Sequence, residues 1–235
     1  MKPGPALATC MLLGAACAKS AAPELTSTEQ RWLEGVRPVV AWALKQRLPI
    51  EITVLPQARP GDAPVALGYV DGRCELVFAM RGNPAAEATL DAVPPAILQP
   101  VIEAMAAHEL GHCWRHVDGA FSSLPPGVAD APDTIESRQP TEELKAIARQ
   151  MRITRREEAF SDLVGLAWTR AHHAQDFATV LAWLEHARAD ETERGFHDTR
   201  RWLALARDPA AFGADGSPFQ QAMTLWRKGL DDDRE

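Results

Sequence analysis

Basic residues are the scarce charge in this chain: 25 Lys and Arg stand against 32 Asp and Glu in 235 residues, a formal net charge of -7. Phosphate backbones reward clustered Lys and Arg, and no such cluster is present, so a nucleic-acid partner is not expected. Long apolar runs are also lacking. The run from Ala6 to Ala18 is too short to span a bilayer comfortably, and no later segment reads as a membrane span. Cysteine is sparse, and of four only Cys74 and Cys113 lie beyond the first 18 residues. A fixed-period repeat is missing too: Trp168, Trp183, Trp202 and Trp226 fall at unequal spacings, as core residues of packed helices would.

What the chain does carry begins with "MKPGPALATCMLLGAACAKSAAPELT": an early Lys, a short apolar run and a small-x-small site at Ala16-Cys17-Ala18. This reads as a signal peptide over 1–18, which sends the remaining chain to the periplasm or the medium. "LLGAAC" is also similar to a bacterial lipoprotein box, in which Cys17 becomes a lipidated membrane anchor. Gly14 stands where such boxes usually have Leu, so both readings stay open. In an oxidising compartment Cys74 and Cys113 suggest one disulfide; two buried thiols are the alternative.

Residues 19–235 read as one α+β domain. A helix is expected from "TSTEQRWLEGVRPVVAWALKQRL" despite Pro38, then a strand at 50–55 and a hairpin in "VALGYVDGRCELVFAM", turned by Asp71-Gly72. The expected architecture is a small antiparallel sheet beside one helix, followed by a mainly helical C-terminal region. That helix carries Ile97, Leu98, Val101, Ile102, Met105 and Ala106 on one face, with Pro100 near its start. Residues 119–140, rich in Pro, Ser and Gly, are expected as a flexible loop. From Thr141 onward the periodicity predicts helices at about 141–150, 155–173, 175–189, 194–207 and 217–229, with a solvated "DDDRE" end.

The chemistry lies in "MAAHELGHCWRHVDG". His108 and His112 stand four apart on one helix, so both imidazoles project to the same side at a separation one metal ion can bridge. Imidazole suits zinc, and Glu109 is placed to take a proton from activated water and return it to a leaving amine. Seven histidines among 235 residues make a chance His-Glu-x-x-His rare, about 0.015 expected occurrences. A catalytic site needs a third ligand. Glu158 and Asp162, four apart in "RREEAFSDLVGLAW", can share one helix face, one as ligand and one as acceptor from a ligating imidazole.

"HELGH" followed by "EEAFSD" resembles the gluzincin zinc metallopeptidases, of thermolysin-like and CAAX-protease-like pattern, over about residues 95–170. The resemblance implies a zincin-like fold, zinc on His108, His112 and Glu158, Glu109 as base, and Asp162 orienting a histidine. "GFHDTRRW" is more loosely similar to a CAAX-protease-like segment, which implies His197 as oxyanion stabiliser with Arg200 as helper. The gluzincin resemblance also implies an edge strand that pairs with extended substrate, a role for which residues 74–80 are well placed. Asp118 has the spacing of a metzincin third ligand, but Arg115 stands where that family needs a turn-forming glycine, so Glu158 is favoured. His116 is expected at a helix end, and His172 and His173 at the surface. The expected function is hydrolysis of peptide or protein substrates through zinc-activated water. The rival is a zinc-containing envelope binding or assembly protein, against which the retained Glu109 argues.

Overall fold

The computed structural model describes residues 24–189 and 195–232, with side chains to residue 230. The leader at 1–18, with Cys17, and the last three residues of the acidic tail lie outside the described residues. No described helix is long and apolar enough to cross a membrane.

Helix α1 (Ser27–Lys45) starts at Thr26, whose hydroxyl accepts from the Glu29 amide while Glu29 bonds back to the Thr26 amide. Pro38 is exposed, and Trp32, Val36, Val39 and Ala43 turn inward. Strands β1 (Ile50–Val54), β2 (Val65–Val70) and β3 (Arg73–Phe78) form one sheet in the order β1-β3-β2. Asp71 and Gly72 both adopt positive φ, 50° and 79°, as a two-residue hairpin turn requires.

The sheet is mixed, not antiparallel: β2 and β3 run antiparallel, whereas β1 lies parallel to β3. The turn residues specify the hairpin, but nothing local specifies where β1 docks. Long-range packing decides that, because β3 sends Cys74, Leu76 and Phe78 fully into the core and must therefore be the central strand.

A short helix, α2 (Pro84–Asp91), leads to α3 (Leu98–Val117), which carries His108 and His112. The 119–140 stretch contains α4 (Thr134–Ser137) and is tied to α5 (Glu142–His172) by ion pairs: Arg155 with Asp133 at 2.7 Å, Arg149 and Arg152 with Glu136 at 2.9 Å, and Arg152 and Arg156 with Asp130. Where a break near 151–154 was expected, α5 runs unbroken for 31 residues, because Arg152 is buried against these carboxylates. Helices α6 (Phe177–Ala187), α7 (Arg200–Ala206) and α8 (Pro218–Asp232) complete an α+β fold with eight α-helices among the described residues.

Helices α3 and α5 cross very closely. A Cβ at Gly111 would meet Ser161 Cα at 2.9 Å, and one at Gly165 would meet the Ala104 carbonyl oxygen at 2.6 Å. This approach brings the two motif-bearing helices within side-chain reach. Cys74 and Cys113 form a disulfide that joins β3 to α3 beside His112.

Candidate metal centre

The i, i+4 spacing on α3 places His108 and His112 on the face turned to α5 and to a cavity of about 500 Å³. Their Nε2 atoms lie 3.2 Å apart. Glu158 closes a triangle, with Oε2 3.4 Å from His108 Nε2 and Oε1 3.5 Å from His112 Nε2. Four-coordinate zinc, with bonds near 2.0–2.2 Å, puts its ligand atoms roughly 3.3–3.5 Å apart, so the spacing of these three suits the ion. Donor chemistry agrees: two imidazoles and a carboxylate, with an open side towards the cavity.

Asp162 Oδ1 stands 2.9 Å from His108 Nδ1. It is buried and receives two further bonds from Arg188, at 2.7 and 3.0 Å, and one from the Thr199 hydroxyl at 2.6 Å. This bracing fixes the His108 ring with Nε2 directed at Glu158. The sequence reading did not include Arg188 or Thr199. They reach Asp162 from positions 26 and 37 residues away, and no local pattern marks such a contact.

Charge follows geometry. Burial alone would lower His108, but its hydrogen bonds and charge pairing with Asp162 and Glu158 outweigh it and raise the imidazole to about 10 in the metal-free protein. Burial would likewise raise Glu158, yet the bond to His108 and the charges of both histidines lower it to about 2. Asp162 is also held well below the carboxylate range: burial is overcome chiefly by the Arg188 charge and the His108 bond. Glu109 goes the other way. It sits half-buried in the cavity wall, and desolvation raises its carboxyl despite the charges of His108 and His112 and a bond from the Leu67 amide.

His197 also reaches the cavity, its Nε2 3.8 Å from Glu158 Oε1 and its side chain 40% exposed. Arg200 bonds to Asp198 at 2.7 and 2.8 Å and does not line the cavity, so it is no helper there; Arg188 is the arginine at the site. Asp118 is exposed at the α3 C-cap. The helix continues past His112, which carries Asp118 about 9 Å further along the axis, and the chain turns only at Gly119. His116 is stacked between Tyr69 and Phe121, with centroid distances of 4.4 and 3.8 Å. His172 is exposed and stacks on Trp168, whereas His173 is not a free surface group: its Nε2 lies 3.0 Å from the buried Glu103.

The 74–80 segment cannot pair with substrate, because β3 already has a neighbour on each side. The edge strand at the cavity is β2, through Val65, Ala66 and Leu67. No protein-family model, curated protein or solved structure matches the chain.

Proposed function

We propose that the protein is a zinc-dependent peptidase of gluzincin type with a zincin-like arrangement, acting on peptide or protein substrates in the periplasm or the medium. The observation that carries this reading is the convergence of His108 Nε2, His112 Nε2 and Glu158 at 3.2–3.5 Å on the wall of a cavity that Glu109 also lines. When bound, zinc makes water nucleophilic near neutral pH and polarises a carbonyl.

The chain's own groups supply the rest. Glu109, raised by burial, takes a proton from the attacking water and returns it to the leaving amine; a raised carboxyl is suited to both transfers near neutrality. His197, at the cavity rim, donates to the carbonyl oxygen as charge develops there. Extended substrate adds along β2, whose outer edge is not used by the sheet.

The rival binding or assembly role requires a structural site, which four protein ligands normally close. Among the described residues the ligand group is His108, His112 and Glu158, and Cys113 is committed to its disulfide with Cys74. An oxidised cysteine pair also favours an extracytoplasmic location, reached through the expected leader, with Cys17 as anchor if that residue is lipidated.

Casein cleavage by the mature protein and by Glu109→Gln tests the proposal. The expected result is zinc retained in both and cleavage reduced by at least 100-fold in the variant, the scale of a lost general base. Equal cleavage by the two would remove Glu109 from the reaction.

A further inference from the structure

Glu157 immediately precedes Glu158 on α5 and is 4% exposed. Its Oε2 accepts from Arg115 Nε at 2.9 Å. Arg115 is itself buried, donates to the Ser123 carbonyl at 2.7 Å, and lays its guanidinium 4.5 Å from the Trp226 ring centroid. One oxygen of Glu157 is thus firmly held. The other, Oε1, is buried without a hydrogen-bond partner and stands 3.7 Å from His112 Nδ1. Stranding a buried carboxylate oxygen costs free energy, so its neighbour matters.

The His112 ring is therefore flanked by two consecutive carboxylates, Nδ1 facing Glu157 and Nε2 facing Glu158. His108 repeats the pattern, with Nδ1 at Asp162 and Nε2 at Glu158. We infer that Glu157 is a positioning residue for His112: the charge of its Oε1, which faces Nδ1 at 3.7 Å, favours the proton on Nδ1 and leaves the Nε2 lone pair directed at the metal position. A neutral imidazole carries one N–H, so the acceptor at Nδ1 selects the tautomer that can ligate through Nε2. Arg115 makes the assignment one-sided. By holding Oε2, it orients the carboxylate so that the oxygen offered to His112 has lone pairs only.

This inference rests on the metal-site reading, and Glu157→Gln tests it without a large change in shape. Arg115 claims the amide oxygen, so the amide N–H faces His112, Nδ1 becomes an acceptor, and the proton moves to Nε2, where it blocks ligation. Zinc affinity, measured by competition with a chromophoric chelator, is expected to fall about 10–100-fold. Nitrogen-15 spectra of the imidazoles in metal-free protein should show His112 as Nδ1–H in the wild type and Nε2–H in the variant. A purely structural role for Glu157 would not move that proton.

Unchanged affinity together with an unchanged tautomer would overturn the inference, and a wild-type His112 protonated at Nε2 would do so even if the variant failed to fold. Should the wild type bind no zinc, the peptidase reading fails separately, and the tautomer of the metal-free protein still decides the role of Glu157.

Discussion

At the scale of single residues, the site depends on which nitrogen of each histidine faces a carboxylate. Asp162 takes the Nδ1 side of His108, and Glu158 lies between the two Nε2 atoms. In metal-free protein His108 is raised to about 10 and Glu158 lowered to about 2. A raised histidine stabilises the fold fully below its ordinary value of 6.5, and that contribution is lost as pH climbs towards 10. A depressed carboxylate contributes above its ordinary value of 4.5, and its contribution is lost as pH falls towards 2. The chelated protein should accordingly resist urea best between about pH 4.5 and 6.5 and weaken on either side. Zinc must displace the His108 proton, so calorimetry in buffers of different ionisation enthalpy should register at least about one proton released per ion between about pH 7 and 9. No proton release would mean that His108 is already neutral in the metal-free protein or is not a ligand.

The four-residue spacings that put His108 with His112 and Glu158 with Asp162 on shared helix faces were legible in the sequence, whereas the part given to Glu109 and the choice of Glu158 over Asp162 as ligand came from the motif resemblance. Arg188, Thr199 and Glu157 were not legible. The first two meet Asp162 only through the docking of α6 and of the chain before α7 against α5. Glu157 has a more informative neighbour in Glu158, and its contact with Arg115 spans 42 residues.

At the scale of elements, the site exists because α3 and α5 touch where one has Gly111 and the other Gly165. Alanine at position 111 gains up to about 1 kcal/mol in helix propensity. Its Cβ, however, meets Ser161 Cα at 2.9 Å, a backbone atom that cannot rotate away, and overpacking of this kind costs roughly 1–3 kcal/mol. The second effect is the larger. Gly111→Ala should therefore lower the stability measured by urea unfolding and also weaken zinc binding, because separating the helices moves both histidines from Glu158. Unaltered zinc affinity would show that the crossing does not set the ligand geometry. The hairpin was legible through Asp71-Gly72, and α3 through its apolar face. The β1 pairing and the unbroken α5 were not, since both are decided by partners distant in the chain: β3 for one, Asp130 and Glu136 for the other.

At the scale of the whole molecule, two long-range ties surround the candidate centre. The Cys74–Cys113 disulfide closes a 39-residue separation, a restriction of the unfolded chain of about 4 kcal/mol in the entropic account. Arg115 and the α5 arginines also secure the 119–140 stretch, whose Phe121 reaches the cavity. The centre is thus built from one helix braced to the sheet and another braced to the connecting segment. In the proposed function, His108, His112 and Glu158 together hold one ion. Zinc stoichiometry of the purified mature protein, measured by mass spectrometry for wild type, Glu158→Ala and Asp118→Ala, tests this most directly. One zinc per chain is expected in the wild type and in Asp118→Ala, with loss of the metal in Glu158→Ala. A zinc-free wild type, or a Glu158→Ala protein that keeps its full complement, would contradict this assignment.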